Sequence, residues 1–385
     1  MMSNSYQLKK LILGFSTVLS LGIAASASAQ DTVNIGISVS ATGPAASLGV
    51  PERNTFELLP DTVGGLPAKY IILDDATDPS LAGRNARKLI SNDQVDVIIG
   101  SSTTPTSLAI AQVAEELKVP QLGLAPFDTA ANKWVFSVPQ SYGVMYRAIF
   151  EEMKKRDIKK IAYIGFSDAQ GEAGHREVSA LATEFNIPLV ANERYGRQDQ
   201  SVTSQAVRIN QQKPDAVLFG ASGTGAALPM HALRKLGYEG LFFQNHGVAN
   251  NDFLRVAGQA GEGMICPTGL VLVADQLDDQ NPSKKVALEY VKLYEGKYGA
   301  GTLNPFGAYA YDAYLLLDHV ISKAGTNAKP GTQEFRDSIR AGLEQVKDLP
   351  LTHGSSTMSA SNHASLGSDA VVLIEIDQGK WKLLK

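Results

Sequence analysis

Four hydroxyl-bearing residues in succession, Ser101-Ser102-Thr103-Thr104, stand after the apolar run VDVIIG. At a helix start, unpaired backbone N–H groups meet the positive end of the helix dipole, and that combination holds a carboxylate. Capping accounts for one of the hydroxyls, since Ser and Thr are favoured caps. A run of four is more than capping asks for. A second candidate is His246, in the small-residue loop QNHGVAN after the apolar run LFF. Its possible roles are ligand contact, metal ligand or polar turn residue. Metal is disfavoured, because the six histidines include no i, i+4 pair and Cys266 is the single cysteine.

Catalytic patterns fail at single positions. GFSDA (165–169) approximates a nucleophile elbow, but Ala169 stands where that motif needs glycine. GASGTG (220–225) lacks the lysine of a phosphate-binding loop. Asp74, Asp75 and Asp78 invite a magnesium reading, yet Asp78-Pro79 reads as a helix cap followed by a first-turn proline. With no nucleophile beside a positioned base, an exported hydrolase is set aside. The expectation is a protein that is not an enzyme and carries no cofactor or metal.

The elements that must hold these loops follow a repeating rhythm. Strand patterns are VNIGISV, KYIILDDA, VDVIIG, QLGLA, KIAYIGF, PLVANERY, AVLFGA and LFFQN, and most are separated by helical patterns such as SLAIAQVAEELK. Near-continuous apolar strands alternating with helices predict α/β lobes with parallel, doubly wound, Rossmann-like sheets. The series is long enough for two. The rhythm changes at WVFSVPQSYG, the first expected crossing between lobes. Beyond GEGMICPTGL the pattern turns helical, and AVVLIEIDQGKWKLL closes the chain as a hairpin about Asp377-Gln378-Gly379. In such folds ligands bind beyond the carboxyl ends of the strands. The glycine-bearing, small and polar loops SATGPAASLG, APFDTAANKW, GFSDAQGEAGH, FGASGTGAALP and QNHGVANND therefore join the hydroxyl run as candidates.

The N-terminus sets the compartment. Lys9 and Lys10, the run LILGFSTVLSLGIAA and Ala27-Ser28-Ala29 form the order of a secretory signal peptide, so export with cleavage after Ala29 is expected. Removing those two lysines takes the formal charge from −4 to −6, which offers no footprint for nucleic acid or an anionic membrane. One cysteine allows no internal disulfide, so the fold must stand on its apolar cores.

Residues 31–385 resemble the type I periplasmic solute-binding proteins of ATP-driven importers, in the leucine/isoleucine/valine-binding family. The segments that carry the resemblance run in order along the chain: TGPAASLGVPERNTFELLPDTVGG, DDATDPSLAGRNARKLI, VDVIIGSSTTP, GFSDAQGE, KPDAVLF, HGVANNDFLRVAG and FGAYAYDAYLLL. The resemblance implies a hinge of three crossovers between the lobes. The implied division is residues 30–139 plus 268–350 for one lobe, and 140–267 plus 351–385 for the other. It also implies a monomer that carries one small ligand in the cleft to a membrane permease; a free-standing sensor of the same fold is an alternative. By this resemblance Ser101, Ser102 and Thr103 fix a ligand carboxylate, with backbone help from Phe127, Asp128 and Thr129. Amino-acid binders of the family place an acid where this chain has His246. They commonly have aromatic residues where it has Gln170 and Ser222, and near Leu48.

An ammonium buried in a closed cleft needs an acceptor, preferably charged, and a neutral histidine offers only one lone pair. The departures therefore suit an aromatic acid, benzoate-like or cinnamate-like, in a roomier cleft, with Phe127, Tyr142 and Phe306 as ring contacts. This places the chain nearest the aromatic-acid-binding branch. Asp128, Asp168 and Glu172 are the acids available if the ligand is a branched-chain amino acid instead.

Overall fold

The computed structural model describes residues 31–323 and 328–384; the signal-peptide reading of residues 1–29 lies outside them. Two sheets organise the chain. The first contains β1 (Val33–Val39), β2 (Thr62–Val63), β3 (Leu66–Asp74), β4 (Val97–Gly100), β5 (Gln121–Gly123) and β6 (Val135–Ser137), in the order β2-β3-β1-β4-β5-β6. The second holds β7 (Ile161–Phe166), β8 (Leu189–Tyr195), β9 (Ala216–Gly220), β10 (Leu241–Gln244) and β11 (Ile265–Thr268). After a small pair, β12 (Leu349–Pro350) and β13 (Ser355–Ser356), the hairpin β14 (Val372–Asp377) and β15 (Lys380–Leu383) completes the second sheet. Its order is β15-β14-β11-β10-β9-β7-β8.

All the strand patterns read from sequence are present, and their pairings with one another are parallel. β4, β7 and β9 are buried at every position, as strands covered by helices on both faces must be. β6 lies in the strand-like run WVFSVPQSYG, while β2, β11, β12 and β13 are additional. Each of those four is only two or four residues long, and β11 contains Pro267, which blunts a strand signal.

Helices α1 (Ala46–Phe56), α2 (Pro79–Ser91) and α3 (Thr104–Leu117) serve the first sheet. α4 (Tyr142–Lys155), α5 (Ala169–Glu184), α6 (Thr203–Gln211), α7 (Leu228–Lys235) and α8 (Asn251–Ala257) serve the second. The late helices α9 (Pro282–Tyr298), α10 (Pro305–Lys323) and α11 (Gln333–Leu343) return to the first lobe, where α10 and α11 bury Tyr309, Leu316, Leu317, Phe335 and Ile339 against β1 and β4. The same core takes in Leu351, Met358, Leu366 and Ala370. The stretch up to Ala370 thus packs with the first lobe, not with the second as the expected boundary at 351 has it. Apolar contacts across space move the crossing some twenty residues, to the approach of β14.

The chain passes between lobes near Gln140, after Thr268, and near Ala370. Gln140 ties the crossings together: its amide donates to the Ala370 carbonyl (2.7 Å), and its oxygen accepts from the Tyr309 hydroxyl (2.6 Å). His353 and His363, which look like loop residues in sequence, are buried. They stack on Tyr309 (3.7 Å between centroids) and Phe136 (4.1 Å).

Candidate functional site in the cleft between the lobes

In each sheet the strand order reverses at one point, between β1 and β4 and between β7 and β9. Loops leaving the carboxyl ends of strands on either side of such a point diverge and leave a crevice. The loops and first helical turns after β1, β4, β7 and β9 carry Leu48, Ser102 to Thr104, Gln170 and Ser222, and all of these line one cleft. Leu124, Ala125 and Pro126 after β5, Asn245 to Gly247 after β10, Tyr142 of α4 and Phe306 of α10 complete it. Eight of the twelve residues expected at the site are here: Leu48, Ser102, Thr103, Tyr142, Gln170, Ser222, His246 and Phe306.

The other four are not. Ser101 is fully buried and donates to Asp75 (2.6 Å). Phe127 packs on Ala111, Ala114 and Val135 beneath α3. Asp128 is exposed and accepts from the Ala130 N–H (2.9 Å). Phe127, Asp128 and Thr129 line a separate, more open cavity of about 420 Å³ with Arg176 and Glu177. The hydroxyl run is likewise divided by job. Thr103 caps α3 in a reciprocal bond pair with Thr106. Ser102 contacts the carboxyl of Glu52, and its oxygen accepts from the Ser40 N–H (2.9 Å). Thr104 bonds the Pro126 carbonyl (2.7 Å) and, across the cleft, the Tyr142 hydroxyl (2.9 Å). Its N–H lies in the first helical turn, where no carbonyl of the helix can accept it.

The second lobe's jaw is built around Arg197, which sequence reading passed over because nothing in YGRQDQ sets it apart. Arg197 pairs with Asp168 (2.6 Å) and covers the Phe166 ring (4.2 Å). It also donates to Gln170 Oε1 (2.7 Å), which accepts a further bond from the Ser222 hydroxyl (2.9 Å). A guanidinium can only donate, so the orientation of the Gln170 amide is fixed and its NH₂ group is left for a ligand. His246 is buried, 5.7 Å from the Tyr309 ring and 6.1 Å from Phe306, so it bridges the lobes. Burial pushes its pKa down to about 4, which leaves a neutral ring at neutral pH.

No acidic side chain lines the cleft among the described residues. Of the three acids available to an amino-acid ligand, Asp128 lies outside it. Asp168 is spent on Arg197 and on capping α5, and Glu172 on Arg194 (2.6 Å). Two acids touch the hydroxyl run from behind the cleft, Asp75 at Ser101 and Glu52 at Ser102, and the sequence singles out only the first. The cleft is closed, with free space of about 10 Å³, room for roughly one water. The roomier cleft expected from the loss of bulky side chains is therefore not present in this closed form. Leu48, Phe306 and the Gln170–Ser222–Arg197 cluster occupy the space. Asp74, Asp75 and Asp78 form no metal site. Asp78 caps α2, and no group of three or more His, Cys, Asp or Glu suited to a metal occurs among the described residues.

Residues 32–380 match the family model described as periplasmic binding protein. The chain belongs to that family. Over 348 residues it is 24% identical to the leucine-, isoleucine-, valine-, threonine- and alanine-binding protein of Pseudomonas aeruginosa, covering 85% of this chain and 87% of that one. An extracellular ligand-binding receptor from Rhodopseudomonas palustris HaA2 is 40% identical, with a TM-score of 0.90, over 92% of this chain and all of that one. A solute-binding protein of an ABC transporter from Rhodopseudomonas palustris BisB5, solved with 3,4-dihydroxybenzoic acid, shares the fold. It has 22% identity and a TM-score of 0.77, over 91% of this chain and 95% of that one. By family the chain is thus a periplasmic binding protein, and its curated relatives are named for the solutes they bind.

Proposed function

We propose that the protein clamps a small aromatic carboxylate, benzoate-like or cinnamate-like, and delivers it to a membrane permease. It acts as a monomer exported by cleavage after Ala29. The observation that carries the ligand class is the polarity of the second jaw. Where an ammonium would need an acceptor, the cleft offers the NH₂ of Gln170 and a neutral His246, with no acid among its lining residues. Burying an ammonium there uncompensated costs several kcal/mol, roughly. An aromatic acid has only acceptors at its carboxylate and an apolar ring for Tyr142, Phe306 and Leu48. The Thr104 N–H and the hydroxyls at the start of α3 provide the anion's place on the first lobe. Lobe closure is then favoured by contacts that only the closed form makes.

A branched-chain amino acid is the second reading, favoured by what the Pseudomonas aeruginosa relative is named for binding. A thermal-shift screen of amino acids against aromatic carboxylates separates the two. Ligand at a hundred times its Kd stabilises by about 2.7 kcal/mol, a shift easily read. Benzoate- or cinnamate-type acids are expected to raise the unfolding temperature and leucine to leave it unchanged. Tight leucine binding without a response to the aromatic acids overturns the proposal.

A further inference from the structure

Two buried carboxyl groups flank the hydroxyl run, and their surroundings differ. Asp75 accepts four bonds: from the hydroxyls of Ser101 (2.6 Å), Ser40 (2.7 Å) and Ser38 (3.1 Å), and from the Thr77 N–H (3.1 Å). Four donors suit a carboxylate. Glu52, on the face of α1 turned to the first lobe's core, is fully buried and has one hydrogen-bond partner, the hydroxyl of Ser102. Its Oε1 has no partner among the described residues. Burial above all, and then the charge of Asp75, hold the Glu52 carboxyl well above the usual carboxylate range; burial also raises Asp75, but its four donors oppose that rise. The other titratable groups nearby bring no compensating cation. Tyr290 of α9 bonds Thr55 one turn along α1 (2.9 Å) and is held neutral by burial, and Arg53 turns outward to Glu57 (3.8 Å). A carboxyl buried without a cation or multiple donors takes up a proton.

We propose that Glu52 is a positioning residue, held as a carboxylic acid, whose proton turns the Ser102 hydroxyl toward the ligand in the cleft. The Ser102 oxygen already accepts from the Ser40 N–H (2.9 Å). With Glu52 protonated, its O–H donates to the second lone pair of that oxygen, and the Ser102 O–H is free to donate into the cleft that Ser102 lines. When Glu52 loses its proton to solvent, the Ser102 O–H turns back to the carboxylate, and a negative charge sits directly behind the anion site. The donor is lost and the ligand repelled, both for want of one proton. Binding of a carboxylate is thereby coupled to retention of the Glu52 proton, a role that rests on the aromatic-acid reading above.

Infrared spectroscopy of the free protein and calorimetry with benzoate and cinnamate test the two halves separately. The carbonyl stretch of a protonated carboxylic acid is expected at neutral pH, absent in Glu52→Gln and moved in frequency in Ser102→Ala, where the acid loses its acceptor. Assignment by difference is needed because Asp312 is another buried carboxyl. Wild-type affinity is expected to fall about tenfold per pH unit once the pH passes the pKa of Glu52 in the free protein. Glu52→Gln, neutral at every pH, should bind within about threefold of the wild-type maximum and stay flat to about pH 10. Absence of the acid band from the wild type, or a wild-type pH profile that is flat or matched by Glu52→Gln, overturns the proposal. If neither acid binds, the ligand reading and the role given to Ser102 fail together, while the infrared band still decides whether Glu52 carries a proton.

Discussion

His246 shows how one side chain can matter for the charge it lacks. Its ring lies between the lobes against Tyr309 and Phe306, and burial keeps it neutral well below physiological pH. It therefore brings one donor and one acceptor to the jaw and no charge. Replacing His246 by alanine removes a polar partner and an aromatic contact that form only when the lobes close. Affinity for a ring-substituted benzoate should fall about 10- to 100-fold, as expected for one buried hydrogen bond with its ring packing. The unfolding temperature of the empty protein should change much less. Unchanged affinity by calorimetry would remove His246 from the binding site. The residue identities, His246, Gln170 and Ser222 among them, are legible in sequence as a set of non-acidic loop side chains. The orientation of Gln170 and Ser222 is not, because it depends on Arg197 reaching them from just beyond β8.

At the scale of elements, α10 ties down the Thr352–His353 segment within the first lobe, ahead of the third crossover. Asp312, buried on that helix, accepts from the backbone N–H groups of Thr352 (2.7 Å) and His353 (3.3 Å). Burial pushes its pKa up to about 7, against about 3.9 in an unfolded chain. A carboxyl with a raised folded pKa gives stability that is complete below the unfolded value and is lost as pH rises through the folded one. Between about pH 4 and pH 7 the wild type should therefore lose on the order of 4 kcal/mol relative to Asp312→Asn, which does not titrate. Chemical denaturation of both proteins across that range checks the slope, and parallel curves would remove Asp312 as its source. The α2 cap at Asp78 is legible in sequence, whereas which of the four hydroxyls caps α3 is not, and the structure gives that place to Thr103. The return of α9 to α11 to the first lobe was not readable from their helical pattern, because an apolar helix face does not name its partner.

For the whole molecule, a closed cleft with about 10 Å³ of free space requires the lobes to part before any aromatic acid enters. The lobes meet where a Cβ at Gly223 would lie 3.4 Å from the Ser47 hydroxyl oxygen and 3.1 Å from the Pro44 carbonyl; the φ of +68° there strains any side chain, so a disulfide between cysteines at the two positions forms only with a local backbone shift. The native Cys266 is buried and does not compete. Oxidised Ser47→Cys/Gly223→Cys protein should take up benzoate at least tenfold more slowly than the reduced form, and dithiothreitol should restore the rate. Equal association rates in stopped-flow measurements would mean that the ligand enters without lobe separation.

The α/β class, eight of the strands, the α2 cap and the loops from which a ligand would be held are legible without any fold. These follow from local periodicity and from the backbone needs of single residues. Tertiary structure decided which hydroxyls are spent on Asp75, on Glu52 and on the α3 cap, and which face the cleft. It also brought Glu52 behind Ser102 and Arg197 behind Gln170. The physical reason is that a polar side chain's role depends on whether its bonds are already satisfied. Those partners stand 50 and 27 residues away along the chain.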